Sequence, residues 1–209
     1  MARYRGPVQR LQRRSGRNLF LKSVGSKANA KANESMIPPG QHGAAMQRKM
    51  STYGQQLREK QALKWMYGVL EKQFRRYVAE AKSRTGVAGT LLLQTLESRL
   101  DNFVYRAGFA STRAQARQLV RHGHFLVNGK SVDIPSAQVK PGDVVTPTEK
   151  GANLHPVRES LETLKDAPRK PWIDFNPEAL SAKYLALPSR EDLDDVAINE
   201  QFIIEYYSR

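Results

Sequence analysis

The chain has 209 residues, 40% of them hydrophobic and 8% aromatic, with no cysteine and a formal net charge of +14. That length allows one large domain or two small ones; the missing thiols exclude disulfides, thiolate metal sites and cysteine catalysis, and suit a reducing cytosol. The longest aliphatic run, Leu91-Leu92-Leu93, is far short of the roughly 20 residues that span a bilayer, and the charged N-terminus lacks the apolar stretch of a secretory signal.

Charge is graded along the chain. Residues 1–50 carry 11 basic and 1 acidic residue, 51–90 carry 8 and 3, 91–150 carry 8 and 5, and 151–209 carry 7 and 11. A strongly basic arm on a weakly basic body fits a polyanion partner, and the acidic end needs its own explanation. Residues 1–50 show no sustained helical or strand period. They hold the cluster Arg10, Arg13, Arg14 and Arg17 and the compact turn Pro38-Pro39-Gly40-Gln41-His42-Gly43. The segment reads as a solvated tail or as an arm that orders on nucleic acid, and Tyr4, Leu11, Leu19, Phe20 and Leu21 favour the arm. Its composition is also that of a transit peptide, against which stand the Gly6-Pro7 and Pro38-Pro39-Gly40 breaks.

From Ser51 one long helix is expected, with Leu63, Tyr67, Leu70, Phe74, Tyr77, Val78 and Ala81 on a single apolar face. Arg58, Lys64, Lys72, Arg75 and Arg76 fall largely off that face, where solvation and phosphate contact are both open readings. Gly86-Val87-Ala88-Gly89 marks a break. Thr90 opens a helix carrying Leu92, Leu96, Leu100, Phe103, Val104 and Ala107, closed by Gly108. Thr112 and Gln115 have capping-box spacing before a second helix with Ala116, Leu119 and Val120 inward. By spacing alone this is a helix-turn-helix-like pair.

Beyond Gly123 the period falls to two. Asn128-Gly129 is a type I′ hairpin signal, pairing Val127 with Lys130 and setting Phe125 opposite Val132, with Leu126 and Ser131 on the other face. Pro141-Gly142 suits a type II turn before a strand at Val144-Val145. Residues 91–150 thus read as an α+β module, a helix pair on a small antiparallel sheet. Residues 151–167 read as one helix, Arg169-Lys170-Pro171 as a linker, Trp172–Phe175 and Lys183–Leu187 as strands. Ser189–Arg209 is ambiguous between helix and strand.

Enzyme constellations are absent: there is no GxxxxGK[ST], GxGxxG after a strand, HExxH or GxSxG. Of the four histidines, His42, His122, His124 and His155, only His122 and His124 are close, across a helix-to-strand change and without nearby carboxylates, so no metal site is expected. Glu191, Asp192, Asp194 and Asp195 follow a cap-like Ser189, which suits a helix dipole better than paired-carboxylate catalysis. No cofactor, small-molecule substrate or membrane partner is expected.

The nucleic-acid reading rests on Arg113, Arg117 and Arg121. Stepping by four, they form a stripe at about 6 Å intervals, close to the spacing of backbone phosphates. His124 and Lys130 fall near the same edge. No acid lies between Arg106 and Lys130, so the stripe has no helical ion partner and is expected to point outward. Spacing leaves DNA and RNA both open, since Arg113 and Gln115 could meet base edges.

LESRLDNFVYRAGFASTRAQARQLVRHGHFLVNGKSVDIPSAQVKPGDVV, residues 96–145, resembles the S-four RNA-binding module. PPGQHG at 38–43, YGQQLREKQALKWMYGVLEKQFRRYV at 53–78 and the ending INEQFIIEYYSR are similar to the bacterial small-subunit ribosomal protein S-four family. The resemblance covers essentially the whole chain. It implies a basic arm at 1–45, a helical domain at 46–90 completed by about 189–209, and the module with its sheet at 91–188. It implies binding to the five-prime domain of 16S rRNA, nucleation of small-subunit assembly in the cytoplasm, and a place beside ribosomal proteins S-five and S-three near the path by which mRNA enters, with a contribution to decoding accuracy. The resemblance carries rRNA contact onto Arg113, Arg117 and Arg121, and places Arg48 and Lys49 near the mRNA; Arg3, Arg5, Arg10, Arg13, Arg14, Lys22, His42, Arg58, Lys64, Arg75, His124 and Lys130 are further expected rRNA contacts. Some family members bind zinc through an N-terminal cysteine cluster, which this chain lacks. An RNA-modifying enzyme such as a pseudouridine synthase would need a catalytic domain larger than the roughly 60 residues after the module. A helix-turn-helix DNA regulator is the other competitor.

Overall fold

The computed structural model describes residues 4–23, 26–27, 30, 37–45, 49–165, 169–193 and 197–208. The described helices are α1 (Val8–Ser15), α2 (Thr52–Met66), α3 (Glu71–Ser83), α4 (Ala88–Glu97), α5 (Leu100–Arg106), α6 (Arg113–Arg121), α7 (Glu149–Ala152), α8 (His155–Thr163) and α9 (Glu200–Tyr206). The strands are β1 (Phe125–Val127), β2 (Lys130–Ser131), β3 (Val144–Pro147), β4 (Ile173–Asn176) and β5 (Ser181–Tyr184), and a 3₁₀ turn covers Glu191–Leu193. The architecture is α+β. Backbone contacts divide the chain into two compact units, residues 1–92 with 196–209 and residues 93–195. Among the described residues no helix is long and apolar enough to cross a membrane.

In the first unit, α1 forms where the sequence showed no helical period. Its inward side is polar: Gln12 and Ser15 are buried. Gln12 Nε2 donates to Asn18 Oδ1 at 2.9 Å and Ser15 Oγ to the Gln12 carbonyl at 2.7 Å. A helix held by buried hydrogen bonds leaves no apolar stripe to find. The long helix expected from Ser51 is two, α2 and α3. Ser51 caps α2 by accepting from Gly54 N at 3.2 Å, and the chain then turns at Gly68, whose φ of 61° an L side chain adopts only with strain. The turn keeps Leu63, Tyr67, Phe74, Tyr77 and Val78 in one core, whereas Leu70, placed on that face by spacing, is exposed. The ambiguous tail forms α9, capped by Asn199 Oδ1, which accepts from Gln201 N and Phe202 N. It packs against α2 and buries Ile203.

The second unit carries a five-stranded sheet of order β2-β1-β3-β5-β4, antiparallel throughout. The hairpin register is as the sequence implied, Val127 opposite Lys130 and Leu126 opposite Ser131, with Asn128 at φ 51° and Gly129 at φ 76°. Asn128 Oδ1 also accepts from Val144 N at 2.9 Å, tying the turn to β3. Cross-strand partners Val127–Val145, Val145–Ala182 and Ala182–Phe175 put the inward residues on one face. That face braces the helices through rings: Phe103 lies 5.4 Å from Tyr184, and Phe109 lies 5.4 Å from Phe125 and 5.5 Å from Phe175. The final strand is shorter than expected, ending at Tyr184 and leaving Leu185 and Leu187 exposed.

Two more expected helices are each divided. The first becomes α4 and α5 because residues 135–139 capture the backbone between them. Val139 N donates to Ser98 O, Leu100 N to Ala137 O at 2.8 Å, and Asp101 N to Pro135 O at 3.1 Å. The second becomes α7 and α8, separated at Asn153–Leu154 just before Pro156, whose ring disfavours a helix running through it.

Candidate nucleic-acid interface

Thr112 starts α6, its Oγ accepting from Gln115 N at 3.2 Å, while Gln115 Oε1 accepts from Ser111 N at 2.7 Å. This is a capping box shifted back by one residue on its reciprocal arm. Ala116, Leu119 and Val120 face inward as expected. The three arginines do not share one fate, which corrects the expectation of an outward stripe. Arg113 is half-buried: its Nε donates to Asn102 Oδ1 at 2.8 Å and its guanidinium lies 4.5 Å from the centre of the Tyr105 ring. Arg117 pairs with Asp101 at 3.0 Å with its side chain 15% exposed. Only Arg121 stands well into solvent, 53% exposed, beside an equally exposed Asp133 at 2.9 Å. The ion partners come from α5 and from the loop after β2, so a search for acids along α6 could not find them.

Behind Arg113 and Arg117 lies a buried polar layer from the α4–α5 junction. Asp101 accepts from Arg99 Nε at 3.0 Å and Nη2 at 2.6 Å. Glu97 accepts from Arg106 at 3.0 and 2.7 Å and from Asn102 Nδ2 at 2.7 Å. Glu97, Arg99, Asp101 and Asn102 are all at most 4% exposed. Ionised groups so dry survive only when paired and fully hydrogen-bonded. This layer orients α6 and was missed in the sequence. Its one local signal was a set of charged and amide residues interleaved with Leu96, Leu100, Phe103 and Val104, where an apolar face was expected. His124 is half-buried and Lys130 is exposed on the edge strand β2.

In the first unit the cations also divide. Arg5, Arg10, Arg14, Lys22, His42, Lys49 and Arg75 are exposed. Arg13 instead donates to the Ile37 carbonyl at 2.8 Å. Arg17 grips Glu59 at 2.5 and 3.0 Å, and Glu59 also accepts from Asn199 N at 3.1 Å. Arg58 lies half-buried against the C-terminal end of α1, reaching the Arg14 carbonyl at 3.5 Å. Lys64 is 16% exposed and bonded to Glu71 at 2.8 Å, which Lys60 also meets at 2.9 Å. Partial burial pushes the Glu71 carboxyl up, but hydrogen bonds from Lys64, Tyr207 and Lys60 outweigh it and hold the group down at about 2. Burial and then Glu71 raise the Tyr207 phenol. Arg3 and Arg48 lie outside the described residues.

The exposed cations of this arrangement can hold polyanions. Among the described residues no group of three His, Asp or Glu is placed to hold a metal ion. The family model for the Ribosomal protein S4/S9 N-terminal domain matches residues 3–97, and that for the S4 domain matches residues 98–145. The chain is 50% identical over 210 residues to a small ribosomal subunit protein uS4 of Thermus thermophilus, covering all of both chains. It is 51% identical over 209 residues, again covering both chains fully, to the uS4 proteins of Polynucleobacter asymbioticus and Francisella tularensis subsp. novicida. Two family models in tandem and half identity along full-length relatives leave one conclusion: the chain belongs to the uS4 family of small ribosomal subunit proteins, a structural and not a catalytic family.

Proposed function

We propose that the chain is a primary 16S rRNA-binding protein of the five-prime domain, nucleating assembly of the small subunit in the cytoplasm and supporting mRNA entrance and translational accuracy. The observation that carries the reading is the sorting of cations. Arg113 and Arg117 are drawn into an internal frame, while Arg121 and Lys130 in one unit, and Arg5, Arg10, Arg14, Lys22, His42 and Arg75 in the other, remain at the surface. Arg10, Arg14, Arg75, Arg121 and Lys130 offer their charges to phosphates from helices and a strand, which suits recognition of RNA by shape and backbone. Arg13, Arg58, Lys64, Arg113, Arg117 and His124 reach the RNA less directly, as groups that set the surface. Lys49, with Arg48 beside it in sequence, is assigned to the mRNA side, and the neighbouring proteins are S-five and S-three.

Co-sedimentation with small subunits after a high-salt wash tests this reading. The chain should stay bound at salt concentrations that strip purely electrostatic binders. Loss of the chain into the supernatant, or new modified nucleotides in rRNA incubated with it, would sink the proposal.

A further inference from the structure

A cleft of about 410 Å³ opens in the first unit between the C-terminal half of α1, the Pro38 turn and one face of α2. Its size lies within the roughly 300–1,000 Å³ of small-ligand sites. The α2 side is a helical stripe of Leu57, Arg58, Gln61 and Trp65, and Arg14 faces it from α1. No acid lines it. The apolar wall is continuous with two guanidiniums, one of them, Arg58, reaching the α1 terminus through the Arg14 carbonyl at 3.5 Å. Gln61 also lines the wall, with its Oε1 shut away from the cleft. The turn that forms the rim is fixed, since Arg13 holds the Ile37 and Pro38 carbonyls and a side chain at Gly43 would strike the Pro38 carbonyl.

An indole, a neighbouring guanidinium and a flanking arginine together match one chemistry. We infer that this cleft takes a single unstacked nucleobase of the bound RNA. Its ring stacks on Trp65 beside Arg58, and its phosphate meets Arg14. Aromatic and guanidinium faces are the usual platforms for splayed-out RNA bases. The inference rests on the proposed function and adds to it a base-stacking site that a phosphate grip does not need.

The test uses the full chain and a 16S five-prime-domain fragment. Since the chain has two tryptophans, Trp172→Phe leaves Trp65 as the sole indole reporter without touching the cleft. On RNA binding, Trp65 emission should be quenched and its accessibility to acrylamide should fall several-fold. Trp65→Ala should weaken binding on the order of ten-fold for one lost stack, with the salt slope unchanged. If the unmodified chain binds but Trp65 stays as accessible as before and Trp65→Ala binds within two-fold, the cleft reading falls alone. If the unmodified chain does not bind the fragment at all, the proposed function falls and the base site with it. An indole that is open in the RNA complex and shielded only in the assembled subunit would overturn the nucleobase in favour of a protein side chain.

Discussion

Replacing Asp101 by Asn should cost far more than its single lost charge suggests. Asp101 holds Arg99 through two hydrogen bonds of 3.0 and 2.6 Å and Arg117 through a third of 3.0 Å. The Arg99 side chain is 2% exposed, so it cannot recover water when the carboxylate goes, and an asparagine would point a partly positive amide at it. Breaking a buried pair by removing one partner costs about 3–5 kcal/mol, a large part of the roughly 5–15 kcal/mol that stabilises a domain. The exposed pair Arg121–Asp133 is an internal control: both side chains are more than half exposed, and such pairs contribute about 0–1 kcal/mol. Urea unfolding of the second unit, followed by Trp172 fluorescence in a Trp65→Phe background, should show Asp101→Asn destabilised by at least 3 kcal/mol and Asp133→Asn by less than 1. Equal and small losses for the two would refute the idea that a dry ionic layer orients α6.

The two classes of arginine on α6 should separate in paired assays. Arg117→Ala should lower stability by about 1–3 kcal/mol, through the carboxylate it leaves underpaired. Arg121→Ala with Lys130→Ala should leave stability nearly unchanged and flatten the salt dependence of RNA binding by roughly two units of slope. Glu71 titrates well below its ordinary 4.5 when folded, at about 2. Its contribution is therefore present above pH 4.5 and lost as pH falls towards 2, and Glu71→Gln should flatten that acid limb in urea midpoints between pH 5 and 2. Glu59→Gln should loosen both Arg17 and the start of α9, seen as faster proteolysis near residues 17 and 199 while the second unit resists.

What the sequence made legible follows from range. The hairpin at Asn128-Gly129, its register and the α6 cap are local, and each has a turn residue or hydroxyl that signals it. The junction between α4 and α5 is not local, because backbone donors at 100 and 101 are taken by carbonyls some 35 residues later. Helix α1 was hidden for another reason: its inward side is Gln12 and Ser15, and hydrophobic periodicity cannot register a polar core. At the candidate site, the exposed position of Arg10, Arg14 and Lys130 is readable from charge. The internal duty of Arg113 and Arg117 was not, since it depends on Asp101 and Asn102 arriving from a neighbouring helix.

The central claim is that exposed cations on rigid elements select folded rRNA. The most direct measurement is competition for a labelled 16S five-prime-domain fragment, with unlabelled RNA fragment and duplex DNA as competitors at equal concentration and moderate salt. The account predicts displacement by the RNA alone. Equal displacement by duplex DNA would contradict it.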